Sequence, residues 1–162
     1  MPIGPGQQLP DFDGQTIEGQ HIATRRYYLR SGLVLVFTHA WPCAGCRAYL
    51  SELDRHLADF RADRMEVLAV VPLEHTLVVD WRDGSPHFPI VLAEGDTVHR
   101  RFGFLSPVGS PEAAVVVTDD TGTIWQAWPV GIAHGFPPVQ EVLAWARYVS
   151  YQCPECWETD RW

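Results

Sequence analysis

Between Gly32 and the first cysteine of the chain runs Leu33-Val34-Leu35-Val36-Phe37-Thr38, and no other stretch constrains the fold as much. The run has no polar face. It therefore reads as a strand covered on both sides, inside a sheet that carries helices on each face. The residues beyond it narrow the choice further. After Trp41-Pro42 come Cys43-Ala44-Gly45-Cys46, and from about Ala44 to Phe60 the residues Leu50, Leu53, Leu57 and Phe60 recur at helical spacing. Glu52, Asp54, Arg55 and Asp59 fall elsewhere around the wheel, so the segment predicts a helix with one buried stripe. A pair of cysteines thus stands where a buried strand hands over to an amphipathic helix.

The rest of the chain alternates in the same way. Pro10 to Gly19 reads as turns linking short extended pieces, among them Thr16 to Glu18. Val67 to Val71 repeats the buried-strand pattern, Leu73 to Trp81 suggests a short helix, and Pro89 to Leu92 a brief extended piece. Ala113 to Thr118 and Ile124 to Trp128 are strands around a turn at Asp119 to Gly122, the pattern of a hairpin. Val139, Val142, Leu143, Ala146 and Val149 mark a last amphipathic helix, introduced by Pro137-Pro138 and stopped before Pro154. Strands alternating with helices imply an α/β mixed sheet flanked by helices.

Size and charge bound the function. A chain of 162 residues suits one domain, read as residues 1–150 followed by a Cys- and Trp-containing tail at 151–162. A formal charge of -8 argues against a surface for nucleic acid or an anionic membrane, which requires clustered cations. No run approaches the ~20 apolar residues needed to span a bilayer, and Met1 to Pro10 lacks the basic and apolar regions of a secretory signal. A cytoplasmic setting is expected. Structural disulfides are disfavoured there, so Cys-x-x-Cys pairs point to catalysis or metal binding.

Cysteines at i and i+3 on a first helical turn bring their Cα atoms within the ~4.4 to 6.8 Å that a disulfide tolerates, so the bond can form and break with little backbone movement. Free N–H groups at a helix amino end, with the helix dipole, stabilise a thiolate. This reading makes Cys43 the nucleophile and Cys46 the resolving thiol, with Arg47 a nearby cation. His39, at the carboxyl end of the strand, is a candidate to accept the thiol proton of Cys43; the alternative is an ordinary hydrogen-bonded loop histidine. The other histidines form no ligand motif. No cofactor is expected, and the primary reading assigns no metal.

Leu9-Pro10-Asp11-Phe12 with Asp13-Gly14, Leu35-Val36-Phe37 leading to Cys43-Ala44-Gly45-Cys46-Arg47, and Val115-Val116-Val117 before Asp119 and Gly122 together resemble the alkyl hydroperoxide reductase/thiol-specific antioxidant family, the redoxins of the peroxiredoxin-like group. The resemblance covers most of the chain. It implies a thioredoxin-like fold, a thiol-dependent antioxidant activity, a peroxide or protein-disulfide substrate and a thiol electron donor. The chain departs from the family's Pro-x-x-x-Thr-x-x-Cys pattern. Counted back from Cys43, those positions hold Ala40 and Val36, and counted from Cys46 they hold Cys43 and His39. Where the family's arginine or cis-proline is sought, the chain reads Ser110-Pro111-Glu112-Ala113. Pro111 is accordingly a candidate cis-proline closing the site, or a trans loop proline.

Cys153-Pro154-Glu155-Cys156 is half of a zinc knuckle, and four-coordinate zinc needs two further ligands. This second thiol pair is read as a redox relay, a local disulfide, spectator thiols, or a metal clasp completed by Cys43 and Cys46. The last reading makes the protein a non-catalytic zinc-binding or interaction module. Trp125, Trp128, Trp145, Trp157 and Trp162 make the carboxyl half aromatic, which suits core packing or self-association as a homodimer.

Overall fold

The computed structural model describes residues 2–40, 43–73, 85–131 and 135–152. The apolar run forms β3 (Gly32–Phe37), every residue of it buried. Pleating sends its side chains to alternate faces. Val34 and Val36 join one core with Leu50, Leu53 and Phe60, whereas Leu33, Leu35 and Phe37 join a second with Phe12, Phe102 and Phe104. The run is apolar throughout because helices and loops cover both faces.

Around β3 lie β1 (Asp13–Thr16), β2 (His21–Ala23), β4 (Met65–Leu73), β5 (Ile90–Glu94), β6 (Ala113–Thr118) and β7 (Ile124–Gly131). The sheet order is β2-β1-β5-β4-β3-β6-β7. Strands β3, β4 and β5 run parallel; β6 and β7 add antiparallel on one side, β1 and β2 on the other. Gly32 opens β3 where a Cβ would collide with Met65 Sδ and the Thr118 carbonyl, so glycine allows both neighbours to approach the strand.

The first face is covered by α1 (Ala44–Arg55), α2 (Leu57–Ala62) and α4 (Val139–Ser150), the second by α3 (Thr97–Phe102) and the amino-terminal segment. The helix expected from Ala44 to Phe60 is broken at His56, with φ −103° and ψ 9°. No glycine or proline marks the break. The His56 N–H closes a tighter bond to the Leu53 carbonyl at 3.0 Å, and Leu57 and Phe60 stay buried beyond it.

Other elements also differ from expectation. Thr16 ends β1 and begins a turn, its Oγ1 accepting from the Gln20 N–H at 3.1 Å; the extended piece is thus Asp13–Thr16 rather than Thr16 to Glu18. Leu73 closes β4 instead of opening a helix, because Val71, Pro72 and Leu73 find partners in Leu92, Ala93 and Glu94. The remainder of that expected helix, 74–81, lies outside the described residues. Helix α3 is not among the elements expected from the sequence; it buries Val98 and Phe102 and ends at Gly103, whose φ of 75° is left-handed. Among the described residues no helix is long and apolar enough to cross a membrane.

Trp125, Trp128 and Trp145 are partly buried against the first core. Trp125 also donates to Asp119 Oδ2 at 2.9 Å, so these three serve packing. Trp157, Trp162, Cys153 and Cys156 lie outside the described residues.

Candidate functional site

The site grows from the carboxyl end of β3. Thr38 extends the ladder by donating its N–H to the Val70 carbonyl at 3.1 Å, after which the chain bends. The Cys43 N–H reaches back to the Ala40 carbonyl at 3.4 Å. Cys43 then caps α1 in an extended conformation, with φ −69° and ψ 112°. Its sulfur accepts from the Cys46 N–H at 3.3 Å, taking the place that serine or aspartate oxygen holds at most helix starts. Its carbonyl accepts the first helical bond, from the Arg47 N–H at 3.1 Å. No acidic residue stands in that first turn to oppose negative charge on sulfur.

The cysteines differ in environment. Cys43 is half-buried, whereas Cys46 is 1 % exposed, one turn into the helix with its side chain turned toward the strand end. Burial pushes the Cys46 thiol up to about 12, with hydrogen bonding from the His39 backbone acting in the other direction and the neighbouring Cys43 adding to the rise. It stays protonated until a base removes the proton. His39 is placed to be that base, with its Nδ1 3.4 Å from Cys46 Sγ. The sequence suggested His39 as a base for Cys43; the structure brings its ring to Cys46 as well, with Cys43 Sγ in the same group of donors. One ring nitrogen of His39, Cys43 Sγ and Cys46 Sγ lie within 4.8 Å of one another. Arg47 shares this turn, half-buried.

Pro111 reaches the correct end of the sheet, three residues before Ala114, which pairs with Phe37. It is trans, since no cis peptide occurs among the described residues, and the cis-proline expectation is corrected. A left-handed Gly109 and the Ser106 N–H to Ser110 carbonyl bond (2.8 Å) turn the chain back. Leu105 then bridges to Pro111 with no cis bond required.

Sequence reasoning missed His99. On α3, fully buried, its Nε2–H donates to the Thr38 carbonyl at 2.8 Å. Burial holds the imidazole down at about 4, so it is neutral near pH 7. It clamps the last ladder residue before His39. Its Nδ1 and the Thr38 Oγ1 have no hydrogen-bond partner among the described residues. No sequence motif flags this pairing, because the partners are 61 residues apart.

A recess of about 570 Å³ adjoins the site along α1, lined by Gly45, Tyr49, Glu52 and Phe136 among others. Tyr49 stacks on Phe136 at 4.2 Å and donates to the Pro137 carbonyl at 2.8 Å, forming its wall. A cavity of about 480 Å³ lies at the opposite end of the sheet, beside Gly32, Asp119 and Gln152. It is remote from Cys43 and Cys46.

Comparison with solved structures gives the same architecture. The AhpC of Mycobacterium bovis superposes with a TM-score of 0.78 at 14 % identity, over 95 % of this chain and 97 % of that one. The reduced 2-Cys peroxiredoxin of Plasmodium vivax gives 0.76 at 14 % identity, over 90 % of this chain and 81 % of that one. The mitochondrial 2-Cys peroxiredoxin of Plasmodium falciparum gives 0.71 at 14 % identity, over 90 % and 93 %. At that identity the likeness establishes the fold, which is thioredoxin-like. No curated protein sequence matches the chain. The profile of the AhpC/TSA family matches residues 5–127, more than half of the chain, and the chain therefore belongs to the AhpC/TSA family of thiol-dependent redox proteins.

Proposed function

We propose that Cys43 and Cys46 form a redox-active dithiol that passes electrons from an external thiol to a disulfide or a hydroperoxide. The observation that carries this reading is the contrast between the two sulfurs: Cys43 half-buried at the helix cap and facing an N–H, Cys46 buried beside an imidazole. Cys43 attacks as the thiolate. With a disulfide it forms a mixed disulfide and releases one thiolate; with a hydroperoxide it becomes the sulfenic acid and releases an alcohol. His39 Nδ1 then takes the Cys46 proton, and the Cys46 sulfur attacks Cys43 sulfur. The second thiol, or water, leaves, and an external thiol reduces the Cys43–Cys46 disulfide.

A disulfide is the better of these substrates. At the positions where the family pattern places proline and threonine, Val36 and Ala40 offer no hydroxyl to orient a peroxide. The recess that begins at Gly45, two residues beyond Cys43, offers an extended chain a place to lie along α1.

The test is a pair of variants. Cys43→Ser is expected to abolish turnover, and Cys46→Ser to trap a mixed disulfide with substrate, visible by intact mass. Turnover equal to wild type in both variants would refute the assignment. Faster turnover with a hydroperoxide than with a disulfide would reverse the order of substrates.

A further inference from the structure

The atoms of the site also meet the spacing of a metal's coordination edges. For tetrahedral zinc with Zn–S about 2.3 Å and Zn–N about 2.0–2.1 Å, two bound sulfurs stand about 3.8 Å apart, and a sulfur and a nitrogen about 3.6 Å. His39 Nδ1 and Cys46 Sγ are 3.4 Å apart, and a His39 ring nitrogen, Cys43 Sγ and Cys46 Sγ form a triangle with no side above 4.8 Å. Small side-chain rotations would bring the three donors onto one ion. The donor set is two thiols and an imidazole with no carboxylate, which selects a borderline-soft cation such as Zn²⁺ over Mg²⁺ or Ca²⁺. Cysteines at i and i+3 supply the two-ligand turn common in zinc sites. The strand end supplies the third ligand from a separate element.

We propose that the reduced protein binds one Zn²⁺ through His39 Nδ1, Cys43 Sγ and Cys46 Sγ, leaving the fourth position to water, and that oxidation of the thiols expels it. Binding replaces the two thiol protons with the cation. A hydroperoxide then takes two electrons from the two thiolates: the S–S bond forms, the O–O bond breaks, two protons from solvent complete an alcohol and a water, and Zn²⁺ leaves. A disulfide is a poor ligand, so release follows from the loss of both thiolates. The expulsion step rests on the dithiol reading above; the binding step does not. This site differs from a clasp built on both Cys-x-x-Cys pairs, because His39 takes part and the tail does not.

The test uses the full-length reduced, metal-free chain titrated with Co²⁺ as a spectroscopic probe and then with Zn²⁺. A single equivalent of Co²⁺ is expected to give thiolate charge-transfer bands and the visible bands of a tetrahedral ion, both erased by Zn²⁺. His39→Ala, Cys43→Ser and Cys46→Ser should each weaken binding by about tenfold or more, while the double variant Cys153→Ser, Cys156→Ser should bind as wild type does. One equivalent of hydroperoxide should release the zinc to a chromogenic chelator. Absence of the bands in protein whose thiols are shown to be reduced would overturn the proposal, as would their loss in the tail double variant. Zinc that binds as expected but remains bound while metal-free protein resists oxidation would uphold the binding step and refute the dithiol reading instead.

Discussion

His99 offers a sharp test of how the site is held. Its imidazole is fully buried, donates to the Thr38 carbonyl at 2.8 Å and titrates at about 4 in the folded protein instead of the ordinary 6.5. Because the folded value is depressed, its contribution is fully present above about pH 6.5 and is lost as pH falls toward about 4, where the unfolded chain takes up a proton that the folded chain refuses. The gap between the two values, at about 1.4 kcal/mol for each pH unit, corresponds to about 3 kcal/mol. His99→Gln keeps an N–H donor for the Thr38 carbonyl and removes the titration. In urea unfolding followed by circular dichroism, wild type should lose about 3 kcal/mol more than His99→Gln on going from about pH 7 to about pH 4. Parallel pH profiles for the two proteins would show that His99 is not buried as a neutral donor, and the reasoning would fail.

Three further outcomes are expected. His39→Ala should slow closure of the disulfide by about a hundredfold and leave consumption of the first oxidant equivalent unchanged, as resolved by stopped-flow; equal slowing of both steps would contradict a role as the base for Cys46. Leu53→Ala, which opens a void between α1 and the sheet where Leu53 is fully buried, should cost about 2–5 kcal/mol in chemical denaturation; a loss near zero would contradict the packing described. Gln152 lines the cavity beside Gly32, so α4 delivers the chain to the far end of β3, about 20 Å from Cys43 by strand length; Cys153→Ser with Cys156→Ser should therefore sustain multiple turnovers with an external thiol, and a single turnover would reveal a relay.

Local pattern made β3, β6 and α4 legible. Their apolar residues either fill both faces of a strand or recur along one stripe of a helix, and burial follows from that arrangement alone. What could not be read depends on contacts between distant segments. The break at His56 has no residue signature, and Val71 to Leu73 remain a strand only because β5 lies alongside. Helix α3 did leave a faint signal, the Val98 and Phe102 pair before a left-handed Gly103, although six residues are too few for a clear period. In the site, the Cys43 and Cys46 spacing was explicit. That His39 faces Cys46, and that His99 clamps Thr38 across 61 residues, are products of the folded sheet.

The proposed function requires Cys43 and Cys46 to exchange electrons with each other. Its most direct measurement is intact mass and peptide mapping of the Cys153→Ser, Cys156→Ser protein after one equivalent of a disulfide oxidant. Loss of two hydrogens is expected, with a single cross-linked peptide joining Cys43 to Cys46 that an added thiol reverses. Two independently modified cysteines, with no cross-link between them, would contradict it.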